Sequence, residues 1–469
     1  MPRGRAGIRP NGAWILSSLT QGRETTLEEM LALREERAAR QRQMLAESGC
    51  ASLVCLSLNM AGPVKRHFLA DALFEEGRRQ TADVLTALGA VLDERVTDRP
   101  AGQTAFFAVD QPAELVKVRM TALEDQGGAS RLWDIDVLRP DGTKVSRGDV
   151  GQEGRRCFLC TQPAALCARS RAHSVEELKA YTDRLLLDWY VARQAGRIGA
   201  AAQRALLYEV SVTPKPGLVD RNNSGAHRDM DFFTFLDSTC ALGGYFRACA
   251  RWGLTHPETP ARQVLAELQT LGMCAEGEMY RATGGVNTHK GAIFSLGILC
   301  AAAGMLAAAG QAPSDDALGA LAGEIAAPAL GGLGAGAETA GQAAFRVHGL
   351  TGARGEAASG FRREREELTA LRALLAEGRS LNDALALVLL RLIARAEDTN
   401  IVKRRGRERL DQVHREAEEL LAGEGPSWED LLRLDESFIR EGLSPGGCAD
   451  LLAVVCFFFF WEEQEKAGA

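Results

Sequence analysis

The rhythm of apolar positions changes once along the chain, near residue 185. Before it, short apolar runs alternate with amphipathic stretches, and after it nearly every apolar pattern has helical spacing. Leu27, Met30, Leu31, Met44 and Leu45 flank a charged middle, and Thr26 and Glu29 stand at capping-box spacing. This predicts an amphipathic helix of about 20 residues. The segment 51–59 is short, mostly apolar and bounded by turn residues, so it reads as a strand. Further strands are expected over 104–109, 131–138 and, after the Pro140-Asp141-Gly142 turn, 144–147.

Ser174 and Glu177 form a second capping box, opening a helix through Leu178, Tyr181 and Leu185. Helical patterns then run over 194–208, 232–252, 261–279, 382–396, 428–441 and from 449 onward. The expected fold class is an α+β N-terminal domain followed by a larger all-α domain. The divisions are a basic segment over 1–25, a first domain over 26–185 and a second over 186–469. No proline-rich or Gly/Ser-rich linker marks the boundary, so a continuous helix is expected to join the two. The uncharged run 292–309 approaches spanning length, yet it is mostly small residues behind Lys290 and reads as a buried helix. The four phenylalanines within 451–461 pack a terminal helix or an oligomer contact, and the Ala/Gly-rich stretch 317–344 suits closely packed helices.

Composition adds exclusions. A net charge of −7 over 469 residues argues against a dedicated nucleic-acid binder, and no membrane partner is expected. The first ten residues are basic, but the apolar stretch 13–16 is too short for a secretory core. Eleven cysteines without an export signal read as reduced thiols, which makes the expected compartment the cytoplasm.

Candidate chemistry in the second half falls in three clusters. In 209–231, Pro214 and Pro216 stiffen a loop in which Lys215, Arg221 and Arg228 suit phosphate and Asp220, Asp229 and Asp231 suit Mg²⁺. Asp229 and Asp231 equally suit the cap of a helix starting at Phe232. In 283–291, two glycines, small hydroxyls, Asn287, His289 and Lys290 precede a helix start, where backbone N–H groups favour anions. In 395–406, an apolar helix over 384–394 delivers Glu397 and Asp398 from inside the fold.

These clusters, with Gly355–Phe361 and Ser444–Leu452, resemble triphosphoribosyl-dephospho-CoA synthase over about residues 195–465. The resemblance implies that ATP and 3′-dephospho-CoA are joined with loss of adenine, giving 2′-(5″-triphosphoribosyl)-3′-dephospho-CoA. Mapped onto this chain, we expect that reaction to draw Mg²⁺–triphosphate contacts from Asp220, Asp229, Asp231, Lys215 and Lys290, and a base or metal role for Glu397 or Asp398. His227 and His289 then orient substrate or satisfy loop hydrogen bonds.

In the first half, Asp134 and Asp136 stand two apart in an expected strand and so share a face, a pair suited to metal-assisted transfer onto phosphate. Lys65 and Arg66 follow a turn and suit an anion. Cys157, Cys160, Cys167 and His173 have the residue types of a zinc site, with Arg155, Arg156, Arg169 and Arg171 around them. Their short spacing fits buried thiols beside an arginine-rich anion site better. These segments resemble citrate lyase holo-acyl-carrier-protein synthase over about residues 27–185. That resemblance implies a nucleotidyltransferase-like carboxylate strand and transfer of phosphoribosyl-dephospho-CoA to a serine of the apo-acyl carrier subunit, releasing pyrophosphate. Arg156, Arg169 and Arg171 then meet donor phosphates or the carrier. The alternatives are the same chemistry serving malonate decarboxylase, or a zinc-bearing binding module attached to an inert helical domain.

Overall fold

The computed structural model describes residues 19–89, 91–310, 314–331, 349–423 and 425–468. The first 18 residues of the basic segment 1–25, with its apolar stretch 13–16, and residues 332–348 lie outside the described residues. Two compact units divide between Ala192 and Arg193.

The first unit contains α1 (Leu27–Ser48), β1 (Ser52–Leu58), α2 (Phe68–Ala87), β2 (Val91–Arg99), β3 (Gly102–Val109), α3 (Ala113–Glu124), β4 (Trp133–Leu138) and α4 (Ala164–Ser170). Thr26 caps α1, its hydroxyl accepting from the Glu29 N–H at 3.2 Å while the Glu29 carboxylate accepts from the Thr26 N–H at 2.9 Å. The strands form one antiparallel sheet in the order β2-β3-β1-β4. Met44 of α1 packs with Cys50, Leu53, Cys55, Phe106, Ala108 and Leu138 on one face. Trp133, Ile135 and Val137 are buried on the other, where the Trp133 indole N–H donates to the Leu73 carbonyl at 3.1 Å. Gly77 of α2 makes room for that ring, since a Cβ there would stand 2.5 Å from the indole nitrogen.

Two features depart from expectation. Instead of a strand, 144–147 makes a single bridge between Leu138 and Lys144, because Ser146 and Asp149 exchange hydrogen bonds in a turn leading to a short helix over Gly148–Val150. Edge strand β2 was not anticipated, since charged residues break its apolar pattern and five of its nine positions, Leu92 and Val96 among them, are exposed.

A single helix, α5 (Val175–Ser211), carries the chain through the boundary between units. The Ser174 box opens it as the spacing predicts, with Glu177 N–H donating to the Ser174 hydroxyl at 3.0 Å. The second unit, as described, is helical: α6 (Phe232–Thr255), α7 (Ala261–Ala282), α8 (Lys290–Ala308), α9 (Asp315–Ala326), α10 (Pro328–Gly331), α11 (Gly352–Ala358), α12 (Arg362–Ala376), α13 (Leu381–Ile393), α14 (Thr399–Arg405), α15 (Arg407–Leu421), α16 (Trp428–Glu441) and α17 (Gly446–Gly468). Helix α8 is long and apolar enough to cross a membrane, but 83% of its apolar window is buried inside the fold. It lies so close to α6 that a Cβ on Gly253 would come within 2.1 Å of the Ala301 carbonyl oxygen. Phe457, Phe458, Phe460 and Trp461 of α17 are buried in the same unit.

Candidate active sites

The helical unit encloses a cavity of about 640 Å³ where the three sequence clusters meet. Glu209, on the last turn of α5, and Lys215, on the loop that follows, are both buried and ion-paired. Burial raises the Glu209 carboxyl above its usual range against the pull of Lys215. The loop is pinned elsewhere: Asp435 of α16 accepts from the Gly217 N–H and the Asn223 side chain, both at 2.8 Å. Asn382 holds Thr213 through its N–H, at 3.1 Å, and its carbonyl, at 2.7 Å. Gly217 adopts φ 71° here, and a Cβ would meet the Leu443 carbonyl at 2.3 Å.

His289 precedes α8 and is 2% exposed. The Thr288 hydroxyl donates to the Ser238 hydroxyl at 2.7 Å, and that hydroxyl bonds His289 Nδ1, also at 2.7 Å. Nε2 is buried and has no protein partner among the described residues. Burial, reinforced by Lys215, pushes the imidazole down to about 3, so it stays neutral. His227 bonds the Ser444 hydroxyl at 2.8 Å. Asn287 accepts from the Lys290 N–H at 3.3 Å, and the Lys290 ammonium pairs with Glu276 at 2.7 Å.

Asp398 and Asp450 complete the cavity wall. Asp398 caps α14, accepting from the Asn400 and Ile401 N–H groups at 2.7 and 3.2 Å, and its other oxygen accepts from the Cys448 N–H at 3.0 Å. Burial raises its carboxyl, opposed by those three donors. Asp450, near the start of α17, packs against the first turn of α8, where a Cβ on Gly291 would come within 2.0 Å of its oxygen. Burial, with Glu209 and Asp398 adding like charge, drives Asp450 well above the carboxylate range.

The predicted residues are only partly assembled. Lys215, His227, Asp229, Asn287, His289, Lys290, Glu397 and Asp398 line the cavity. The aspartate trio expected to hold Mg²⁺ does not converge. Asp220 is buried and spent on the backbone N–H groups of Lys215, Asn222 and Asn223. Asp231 is the exposed cap of α6, accepting from the Thr234 N–H at 2.9 Å. Arg221 bonds Thr213 and Asn382, and Arg228 is exposed outside the cavity lining. Sequence reasoning gave no role to Glu209, Glu356, Arg354, Arg404 or Asp450, all of which line it. The available signal was an isolated acid in apolar surroundings, as in Leu206-Leu-Tyr-Glu-Val210.

The first unit has a cleft of about 1590 Å³ bearing Arg131, Arg147, Arg155, Arg156 and Arg171. Glu124, buried and also unforeseen, accepts from the Ile135 N–H at 2.8 Å and pairs with Arg147 and Arg155. Asp134 and Asp136 share a face of edge strand β4, opposite Ser57 and Cys55 of β1, outside the cleft lining. Asp136 is held by Arg37 at 3.1 Å and by Lys144, which leaves Asp134 the less encumbered carboxylate, 3.9 Å from Arg155. Burial and the neighbouring Asp136 raise the Asp134 carboxyl. Of the other predicted cations, Lys65 donates to the Met60 carbonyl, Arg66 pairs with Asp71 and Asp98, and Arg169 is exposed; none lines the cleft. The expectation of buried thiols fails, because Cys160 and Cys167 are only partly buried. Their sulfurs, Cys157 Sγ and a His173 ring nitrogen all lie within 4.8 Å of one another.

Comparison with known proteins gives both units a kinship. Residues 195–468 match the family ATP:dephospho-CoA triphosphoribosyl transferase, and residues 25–189 match apo-citrate lyase phosphoribosyl-dephospho-CoA transferase. Protein CitXG of Haemophilus influenzae is 34% identical, covering 94% of this chain and 97% of its own length. Protein CitXG of Leuconostoc mesenteroides subsp. cremoris is 31% identical over 93% and 97% respectively. The 2-(5''-triphosphoribosyl)-3'-dephosphocoenzyme-A synthase of Pectobacterium atrosepticum is 43% identical over 55% of this chain and 87% of its own. The chain thus belongs to the ATP:dephospho-CoA triphosphoribosyl transferase family and, over most of its length, to the fused CitXG proteins: it is an enzyme of citrate lyase prosthetic-group biosynthesis and attachment with two transferase activities.

Proposed function

We propose that the helical unit joins ATP to 3′-dephospho-CoA with loss of adenine, and that the first unit moves phosphoribosyl-dephospho-CoA onto a serine of the apo-acyl carrier subunit of citrate lyase. The observation that carries the first step is one cavity in which Lys290, Arg354 and Arg404 stand together with Glu209, Asp398, Glu397 and Asp450. Cations hold a triphosphate, while acids serve a reaction at the sugar. In that step a ribose hydroxyl oxygen of dephospho-CoA bonds to C1′ of the ATP ribose. The C1′–N9 bond breaks, its electron pair leaves with adenine, which takes up a proton, and the hydroxyl proton passes to a base.

Glu397 is the better base. It lines the cavity and, among the described residues, is held by Arg407 alone, at 3.8 Å, whereas both oxygens of Asp398 are occupied by backbone donors. Asp450, whose carboxyl burial raises well above its usual range, is placed to supply a proton, and the unpartnered Nε2 of His289 is placed to bond the substrate. Asp229, which lines the cavity, is the member of the expected aspartate trio that would hold Mg²⁺ beside a triphosphate, and the ion would supply charge neutralisation there.

In the attachment step the carrier serine oxygen bonds to the donor's innermost phosphorus and pyrophosphate departs. The cleft arginines suit the donor phosphates and an acidic carrier surface. Asp134 on β4 takes the part of the nucleotidyltransferase-type carboxylate, with Asp136 beside it. Family membership sets aside the inert binding module. The test is incubation with ATP, dephospho-CoA, Mg²⁺ and apo-carrier, in parallel arms with the citrate lyase and malonate decarboxylase carriers. Free adenine and a rise in the mass of the citrate lyase carrier are expected. ADP or AMP in place of adenine overturns the first step, and modification of only the malonate decarboxylase carrier overturns the second.

A further inference from the structure

We infer that Cys157, Cys160, Cys167 and His173 bind one zinc ion, and that this clip builds a wall of the arginine-bearing cleft in the first unit. The four donor atoms lie within 4.8 Å of one another, with Cys160 Sγ 3.4 Å from both Cys167 Sγ and His173 Nε2. A tetrahedral ion with Zn–S near 2.3 Å and Zn–N near 2.0–2.1 Å sets its ligand atoms roughly 3.5–3.8 Å apart, so the cluster has the right size for one ion. A disulfide does not account for it. Sulfurs bonded at about 2.05 Å would use two of the groups and strand a third thiol and an imidazole on the same spot. Packing does not account for it either, since only Cys157 is fully buried.

The backbone is bent to serve the cluster. Cys157-Phe-Leu-Cys160 turns so that the Leu159 N–H points to Cys157 Sγ at 3.5 Å, a bond that stabilises a thiolate. Arg171, at φ 48°, is one of two described non-glycine residues in the left-handed region, and it lies between Cys167 and His173. That unfavourable conformation reverses the chain at the end of α4 and returns His173 to the sulfurs. Between the short helix Gly148–Val150 and α4, regular structure amounts to one bridge, Arg156 to Pro163. Three thiolates and an imidazole select a soft, tetrahedral ion, and zinc needs no redox partner. The same segment presents Arg155, Arg156 and Arg171 to the cleft, and Arg131 ties it down through the carbonyls of Arg156 and Cys157 at 3.2 and 3.1 Å. The role in the cleft rests on the attachment reading above; the presence of the metal does not.

The intact chain, purified under reducing conditions, is expected to carry one zinc per chain by elemental analysis. Cys160→Ser and His173→Ala should each lower zinc affinity by about 10-fold or more. Both should lose carrier modification while adenine release from ATP and dephospho-CoA is unchanged. Should these variants misfold, the zinc-stripped native chain titrated with Co²⁺ is expected to show thiolate-to-cobalt charge-transfer absorption and tetrahedral ligand-field bands. Native protein lacking zinc and giving no such spectrum, or a Cys160–Cys167 disulfide under these conditions, overturns the site. Zinc present in the native chain but lost from Cys160→Ser, with carrier modification intact in that variant, overturns its role in the cleft.

Discussion

At the scale of single residues, what a carboxylate does is decided by what surrounds it. Both oxygens of Glu364 on α12 are buried without a hydrogen-bond partner among the described residues. Burial, with the Glu356 charge added, raises its carboxyl from 4.5 to about 8. Between those values the folded state holds a proton that the unfolded chain releases, so stability should be fully present below pH 4.5 and fall as pH rises towards about 8. Glu364→Gln should flatten that slope, as measured by denaturant melts at several pH values in this window. Glu397→Gln should slow adenine release by about 10²–10⁴-fold with ATP binding retained, the range expected when a general base is lost. Asp231→Ala should leave the rate of adenine release unchanged and lower only the melting temperature, because that side chain caps α6. A large rate loss with Asp231→Ala would return it to the site.

At the scale of elements, contacts between helices depend on side chains that are missing. Gly253 brings α6 against the Ala301 carbonyl of α8, and Gly304 does the same towards Ala250, where a Cβ would stand 2.2 Å from the carbonyl oxygen. Gly253→Ala should therefore destabilise the helical unit by about 1–3 kcal/mol, the usual cost of overpacking, readable as a shifted denaturant midpoint. Gly291→Ala acts at the site instead, since its methyl would occupy the place of the Asp450 carboxyl. It should abolish most adenine release while leaving carrier modification from supplied triphosphoribosyl-dephospho-CoA intact. Much of this level is readable in advance. The boxes at Thr26 and Ser174 are local, each closed within one turn, and both helices start where their spacing says. The strand expected over 144–147 fails because its neighbours Ser146 and Asp149 offer the backbone a turn.

At the scale of the whole molecule, the two activities share one chain through α5, and a tether keeps the intermediate's producer and consumer at a fixed mutual concentration. A mixture of Glu397→Gln and Asp134→Asn proteins should still modify the carrier from ATP and dephospho-CoA, because each supplies the step the other lacks. The lag before carrier modification should shorten as protein concentration rises. Failure of the mixture at any concentration would mean that the intermediate never leaves its producer.

The order of patterns along the chain distinguishes a mixed stretch of strands and helices from a helical one, and it picks out as candidates the loop of Lys215, the His289 turn and the Glu397–Asp398 pair, which line one cavity. Those are local properties of spacing and charge. Tertiary structure alone decided that Asp220 and Asp231 serve the backbone and that Glu209 and Asp450 stand in the cavity. It also decided that three cysteines and a histidine meet at one point. An acid reports its type in the sequence, but its partners are donors brought from distant helices, and only the packed fold says which of them lie within reach.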